Sequence, residues 1–107
     1  MAETRLEQLI RFYEEDPGDP FAVYGLALEY QKSDVKQSER LFDRLLTDFP
    51  GYLPTYYHAA KLKASLGLND NALNIYKQGI DLAKKLNEHK AFQELQSAYN
   101  ELVFEME

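Results

Sequence analysis

Cysteine is absent from the chain. Neither a disulfide framework nor a thiolate metal site can therefore form. Lack of cysteine makes the cytoplasm the default compartment, although it is compatible with export as well. Histidine is scarce: His58 and His89 are the only two, and neither has a His or a carboxylate four residues further on. No metal site and no cofactor is expected from such a set. Also missing are a Gly-rich phosphate loop, a Gly-x-Ser-x-Gly elbow and a His-Glu-x-x-His pair. The acidic run Glu14-Glu15-Asp16 falls at a helix end, near its negative pole, and reads as an exposed turn rather than an acid–base pair. The expectation is a protein that is not an enzyme. No apolar run approaches the roughly 18 residues of a membrane helix, and the first residues lack a basic start and apolar centre. Positive charge is in short supply too: 12 Lys and Arg stand against 18 Asp and Glu, a net charge of −6. Nucleic acid and anionic membranes are poor partners for that balance, whereas a protein or peptide partner fits.

What the chain does have is helix periodicity and helix punctuation. Its four prolines, at 17, 20, 50 and 54, all fall where a helix should stop or start, and no stretch alternates long enough to make a strand. Six helices are expected. The first runs from about Glu3 to Glu15 behind the capping box Thr4-x-x-Glu7, with Leu6, Leu9, Ile10 and Tyr13 on one face. The second opens at Asp19-Pro20 and runs to about Lys32. Its FAVYGLAL segment is apolar almost all round, so it either packs on two sides or leaves an apolar face open. The third starts at Ser33-Asp34, where Asp34-x-x-Gln37 is another capping-box candidate, and buries Val35, Ser38, Leu41, Phe42, Leu45 and Phe49. The fourth, about Leu53 to Leu66, buries Tyr56, Ala59, Ala60, the Lys63 stem and Leu66. Gly67 supplies a left-handed C-terminal residue, and Asn69 is the expected cap of the fifth helix. That helix turns Ala72, Ile75, Tyr76, Gly79, Leu82, Ala83 and Leu86 inward and runs to Leu86 or Asn87. The sixth, about Glu88 to Met106, carries one apolar stripe of Phe92, Leu95, Tyr99, Leu102 and Met106.

The helices repeat in pairs. Val23 and Tyr56, and Ala27 and Ala60, are 33 residues apart; Ser38 and Ala72, Phe42 and Tyr76, and Leu45 and Gly79 are 34 apart. In this register the residues resemble the tetratricopeptide repeat family, whose first helix carries an aromatic, then Leu-Gly, then Tyr, and whose second carries Ala, an aromatic and Ala before a closing Pro. One copy places Val23, Leu26-Ala27, Tyr30, Ser38, Phe42, Leu45 and Pro50 there; the next places Tyr56, Ala59-Ala60, Lys63, Ala72, Tyr76 and Gly79. Lys84 stands where the second copy should close with Pro, and Phe92, Leu95-Gln96 and Tyr99 begin a third. The competing reading is a plain six-helix bundle whose spacings coincide by chance.

The resemblance implies an all-α fold of antiparallel hairpins stacked as a right-handed superhelix. One domain would comprise an N-terminal helix (1–18), two repeats (19–51 and 52–87) and a C-terminal capping helix (88–107). Small residues should mark the close approaches, Ala60 against Ala72 and Gly79 near Phe92. The resemblance also implies a concave protein-binding groove lined by the first helix of each pair. Its candidate residues are Phe21, Tyr24, Leu28 and Lys32, then Tyr57, His58 and Lys61, then Lys90 and Glu94, with Gly25 on the same inner face. Some members hold the C-terminal carboxylate of heat-shock chaperones through two Lys, two Asn and an Arg. The matching places here are Tyr24, Leu28, His58, Lys90 and Glu94; only Lys90 fits, and Glu94 would repel a carboxylate. A helical or apolar peptide suits the groove better. The alternative function is a structural one, in which an apolar face makes a homodimer.

Overall fold

The computed structural model describes residues 2–107 and, among them, contains helices and turns without strands. The helices are α1 (Arg5–Glu15), α2 (Pro20–Tyr30), α3 (Val35–Asp48), α4 (Pro54–Ser65), α5 (Asn69–Lys85) and α6 (His89–Met106). They fall into two compact units, Met1–Tyr52 and Leu53–Glu107.

In the first unit, α1 begins on a complete capping box. The Glu7 amide donates to Thr4 Oγ1 at 3.1 Å, and the Thr4 amide donates back to Glu7 Oε1 at 3.3 Å. Asp19 caps α2 by accepting from the Phe21 amide at 3.0 Å, with Pro20 in the first turn where its missing N–H costs nothing. Helix α2 ends at Tyr30, short of Lys32, because the chain turns there: the Asp34 amide donates to the Tyr30 carbonyl at 2.7 Å. Asp34 in turn caps α3 by accepting from the Gln37 amide.

The apolar character of α2 is explained by packing on both sides, against α1 and against α3. Ala22, Val23, Leu26 and Ala27 are buried, as are Ser38, Leu41, Phe42 and Leu45 on α3. The Ser38 hydroxyl donates to the Ala27 carbonyl at 2.6 Å, which satisfies a polar group inside the α2–α3 seam. Leu9 of α1 lies on Gly25, so that one position of the inner face is covered by the chain itself. Arg44 of α3 ties the unit together. It donates to the Tyr13 hydroxyl, to the Pro17 carbonyl at 3.2 Å and to Asp48, and its guanidinium lies over the Tyr13 ring.

In the second unit, α5 packs on α4 and on α6, and α4 also touches α6. Tyr56, Ala59, Ala60, Leu62 and Lys63 of α4 are buried with Ala72, Ile75, Tyr76, Gly79, Ile80 and Ala83 of α5 and Leu95 and Leu102 of α6. Gly79 makes the closest approach. A Cβ there would lie 2.6 Å from Tyr56 Cβ and 3.1 Å from Leu95 Cδ1. The residue of α6 set over Gly79 is thus Leu95, one turn beyond the expected Phe92. Phe92 instead lies against the α5 side chain Lys84, whose ammonium is 5.6 Å from the ring centre.

Helices α4 and α5 end in the same way. After α4, Gly67 takes φ +80°, its amide donates to Ala64 and the Leu68 amide reaches back to the Lys63 carbonyl at 2.9 Å. After α5, Asn87 takes φ +57°, and the Asn87 and Glu88 amides repeat the pattern on Lys84 and Ala83. Each left-handed residue lets two amides close back on the last turn. Because the first of these turns delivers Leu68 to the N-cap place, Asn69 is already inside α5 and supplies no cap. Four side chains expected inside stand exposed: Val35 in the first turn of α3, Leu66 and Leu86 where α4 and α5 end, and Met106 at the end of α6. At an element's end the apolar period continues past the neighbouring helix that would cover it.

Candidate functional site

Helix α2 positions the first group of candidate residues. Phe21 points off its first turn and is 58% exposed. Tyr24, one turn on, is half-buried, and its ring meets Tyr52 edge to face with centroids 5.7 Å apart at 64°. Burial and the neighbouring Tyr52 raise the Tyr24 hydroxyl pKa; burial and the Asp19 carboxylate do the same for Tyr52. Leu28 is half-buried, and exposed Lys32 pairs with Glu29 at 3.2 Å. Phe21, Tyr24 and the Asp19 carboxylate therefore gather with Tyr52 at one end of α2. Tyr52 was not singled out by sequence reasoning. The signal for it is a large aromatic in the Pro50–Pro54 connection, where nothing about helix periodicity asks for one.

The second group sits on α4. Tyr57 is half-buried with its ring against His58 (centroids 5.4 Å apart) and Tyr76 (6.5 Å), while the Lys61 ammonium lies 5.8 Å from its centre. Cations favour the electron-rich face of such a ring. Burial, with Lys61 adding to it, pushes the His58 pKa down and favours the neutral imidazole. The buried Tyr76 hydroxyl is pushed up to about 12 by burial, and then by Tyr57, Glu101 and Glu105. The structure thus brings Tyr57, His58 and Lys61 together and adds Tyr76, which periodicity assigns to the core alone. Lys90 and Glu94 lie exposed in the first part of α6.

Neither group has the arrangement of a nucleophile with its base. Among the described residues, no three His, Asp or Glu side chains converge as a metal site would require. No helix described is long and apolar enough to cross a membrane. What both groups offer is partly open aromatic surface next to single charges, held on helices whose opposite faces are fixed in a core.

The fold is that of a helical-hairpin repeat protein. The chain resembles the tetratricopeptide repeat domain protein of Salinibacter ruber in two solved structures. Its solution NMR structure is 40% identical over 81% of this chain and 89% of that one, with a TM-score of 0.77. A crystal structure is 39% identical over 78% of this chain and 94% of that one, with a TM-score of 0.75. The protein belongs to the tetratricopeptide repeat family. No family model and no curated protein matches the sequence.

Proposed function

We propose that the chain is a non-enzymatic scaffold in the cytoplasm that binds a peptide or helix of another protein through the first helix of a hairpin. Family membership supports the general class, a protein-interaction module. The observation that carries the finer reading is aromatic surface left partly open in each unit, Phe21 and Tyr24 on α2 and Tyr57 on α4. Rigid aromatic side chains bury much area at little entropic cost, which suits them to anchor a partner. In the first unit Leu28 would frame Phe21 and Tyr24, with Lys32 at the wetter margin; in the second, His58 and Lys61 would frame Tyr57, with Lys90 and Glu94 as its polar residues.

The test is a pull-down from a lysate of the source cells with wild type and with a Tyr24→Ala/Leu28→Ala variant, checked for retained helicity by circular dichroism. Loss of a discrete captured protein from the folded variant is expected. Capture of an unchanged set would remove α2 from the binding surface. A second reading, self-assembly, draws on α6, where Phe104 is 76% exposed and Met106 is also open. Light scattering over a range of concentrations distinguishes the two, since a dimer through α6 would lose mass on dilution or on Phe104→Ser.

A further inference from the structure

The α2 surface carries enough chemistry to say what kind of segment fits it. Phe21, in the first turn, is the apolar element. Beside it stand the Tyr24–Tyr52 ring pair and the Asp19 carboxylate, which already accepts the Phe21 amide and acts on the Tyr52 hydroxyl. Aromatic faces next to a carboxylate attract a cation. The chain uses this chemistry within itself, with Arg11 5.0 Å from the centre of Phe12 and Lys61 over Tyr57.

The charge around this surface points the same way. Residues 1–52 hold eleven Asp and Glu against six Lys and Arg, whereas residues 53–107 hold seven against six. Ion pairs inside the first unit tie up cations and carboxylates alike and leave this excess of carboxylates in place. Arg11 pairs with Glu3 and Glu15, Lys32 with Glu29, and Arg44 with Asp48 as well as Tyr13. With five more acidic than basic side chains, the first unit draws in a cationic segment in preference to an acidic one.

We infer that the α2 surface of the first unit binds a protein segment in which an Arg or Lys lies close to an aliphatic or aromatic side chain, the apolar group resting on Phe21 and the cation on the Tyr24–Tyr52 rings beside Asp19. This assignment rests on the scaffold reading and narrows it to one partner chemistry. An acidic or purely apolar segment would meet repulsion, or would leave Asp19 without compensation.

The experiment is a selection from a random peptide library displayed on phage against the full-length chain. Affinities of the selected peptides are then measured by calorimetry for wild type, Phe21→Ala and Asp19→Asn. Asn caps a helix about as well as Asp, so the second variant removes charge while keeping α2. The exposure of Phe21 lets the first variant fold, and circular dichroism of both confirms it. The expected peptides carry Lys or Arg near an apolar residue. Phe21→Ala should weaken them about tenfold and Asp19→Asn about threefold, the latter effect shrinking as salt is added. Copies with each Lys and Arg replaced by Glu should not bind. Peptides without basic residues, or affinities unchanged in both variants, would overturn the inference and leave the scaffold reading standing. Failure to select any peptide would overturn both.

Discussion

Gly79 and Gly25 show how one residue type can sit at two helix contacts with different consequences. Alanine gains about 1 kcal/mol over glycine in a helix interior. At Gly79 the new methyl would strike Tyr56 Cβ, an atom fixed close to the α4 backbone. Gly79→Ala should therefore lose about 1–3 kcal/mol net in urea unfolding. At Gly25 the obstacle is the end of the Leu9 side chain, 2.8 Å from the added atom, which can rotate away. Gly25→Ala should stay within about 1 kcal/mol of wild type in the same assay. His58 supplies a prediction on the pH axis. Its folded pKa lies below its ordinary value of 6.5, so the folded state favours the neutral ring. His58 adds no pH dependence well above 6.5; as pH falls below it the unfolded chain takes up the proton first, and stability declines until the folded ring is protonated as well. His58→Gln should flatten that stretch of a stability–pH curve measured by urea unfolding. The position of His58 on a helix was legible from the sequence. Its half-buried setting beside Tyr57 and Lys61 was not, because i to i+3 spacing says which side chains are neighbours on a helix but not which neighbouring helix covers them.

At the scale of the element, beginnings were easier to read than ends. Thr4, Asp19 and Asp34 each hold the amide that their chemistry suits them to hold. Asn69 failed as a cap for a reason outside its own chemistry: the turn begun at Gly67 uses backbone bonds alone and places Leu68 first. The end of α5 carries a further prediction. Asn87 holds φ +57°, which costs an ordinary L residue about 1–2 kcal/mol. Asn87→Ala should accordingly lose about 1 kcal/mol or more in thermal unfolding, whereas Asn87→Gly should match or exceed wild type. The same turn explains why Leu86 is exposed although its spacing fits the buried stripe. The backbone is already leaving the helix there, so the side chain no longer follows the helical period.

Across the whole molecule, packing is local in sequence. Neighbouring helices pack in order within each unit, and the α4–α6 contact skips only one helix. Hairpins of this kind need no distant strand to find its partner, so little loop entropy must be spent before contacts form. Refolding from urea should finish within milliseconds, read by far-ultraviolet circular dichroism in a rapid-mixing instrument. A dominant phase of seconds would contradict that reading. The repeat itself was legible because 33- and 34-residue spacings recur at the small and aromatic positions that form the core. The candidate surface was less so, since Gly25 looked open by register and proved to be covered by Leu9, while Tyr52 belongs to a connection without any period.

Gly51 precedes Tyr52 in that connection, and a Cβ built on it meets nothing within 4 Å. Since the chain has no native thiol, Gly51→Cys would create a single attachment point without a protecting substitution elsewhere. A maleimide fluorophore placed there would sit one residue from the tyrosine pair, and its anisotropy would report occupancy of the α2 surface in real time.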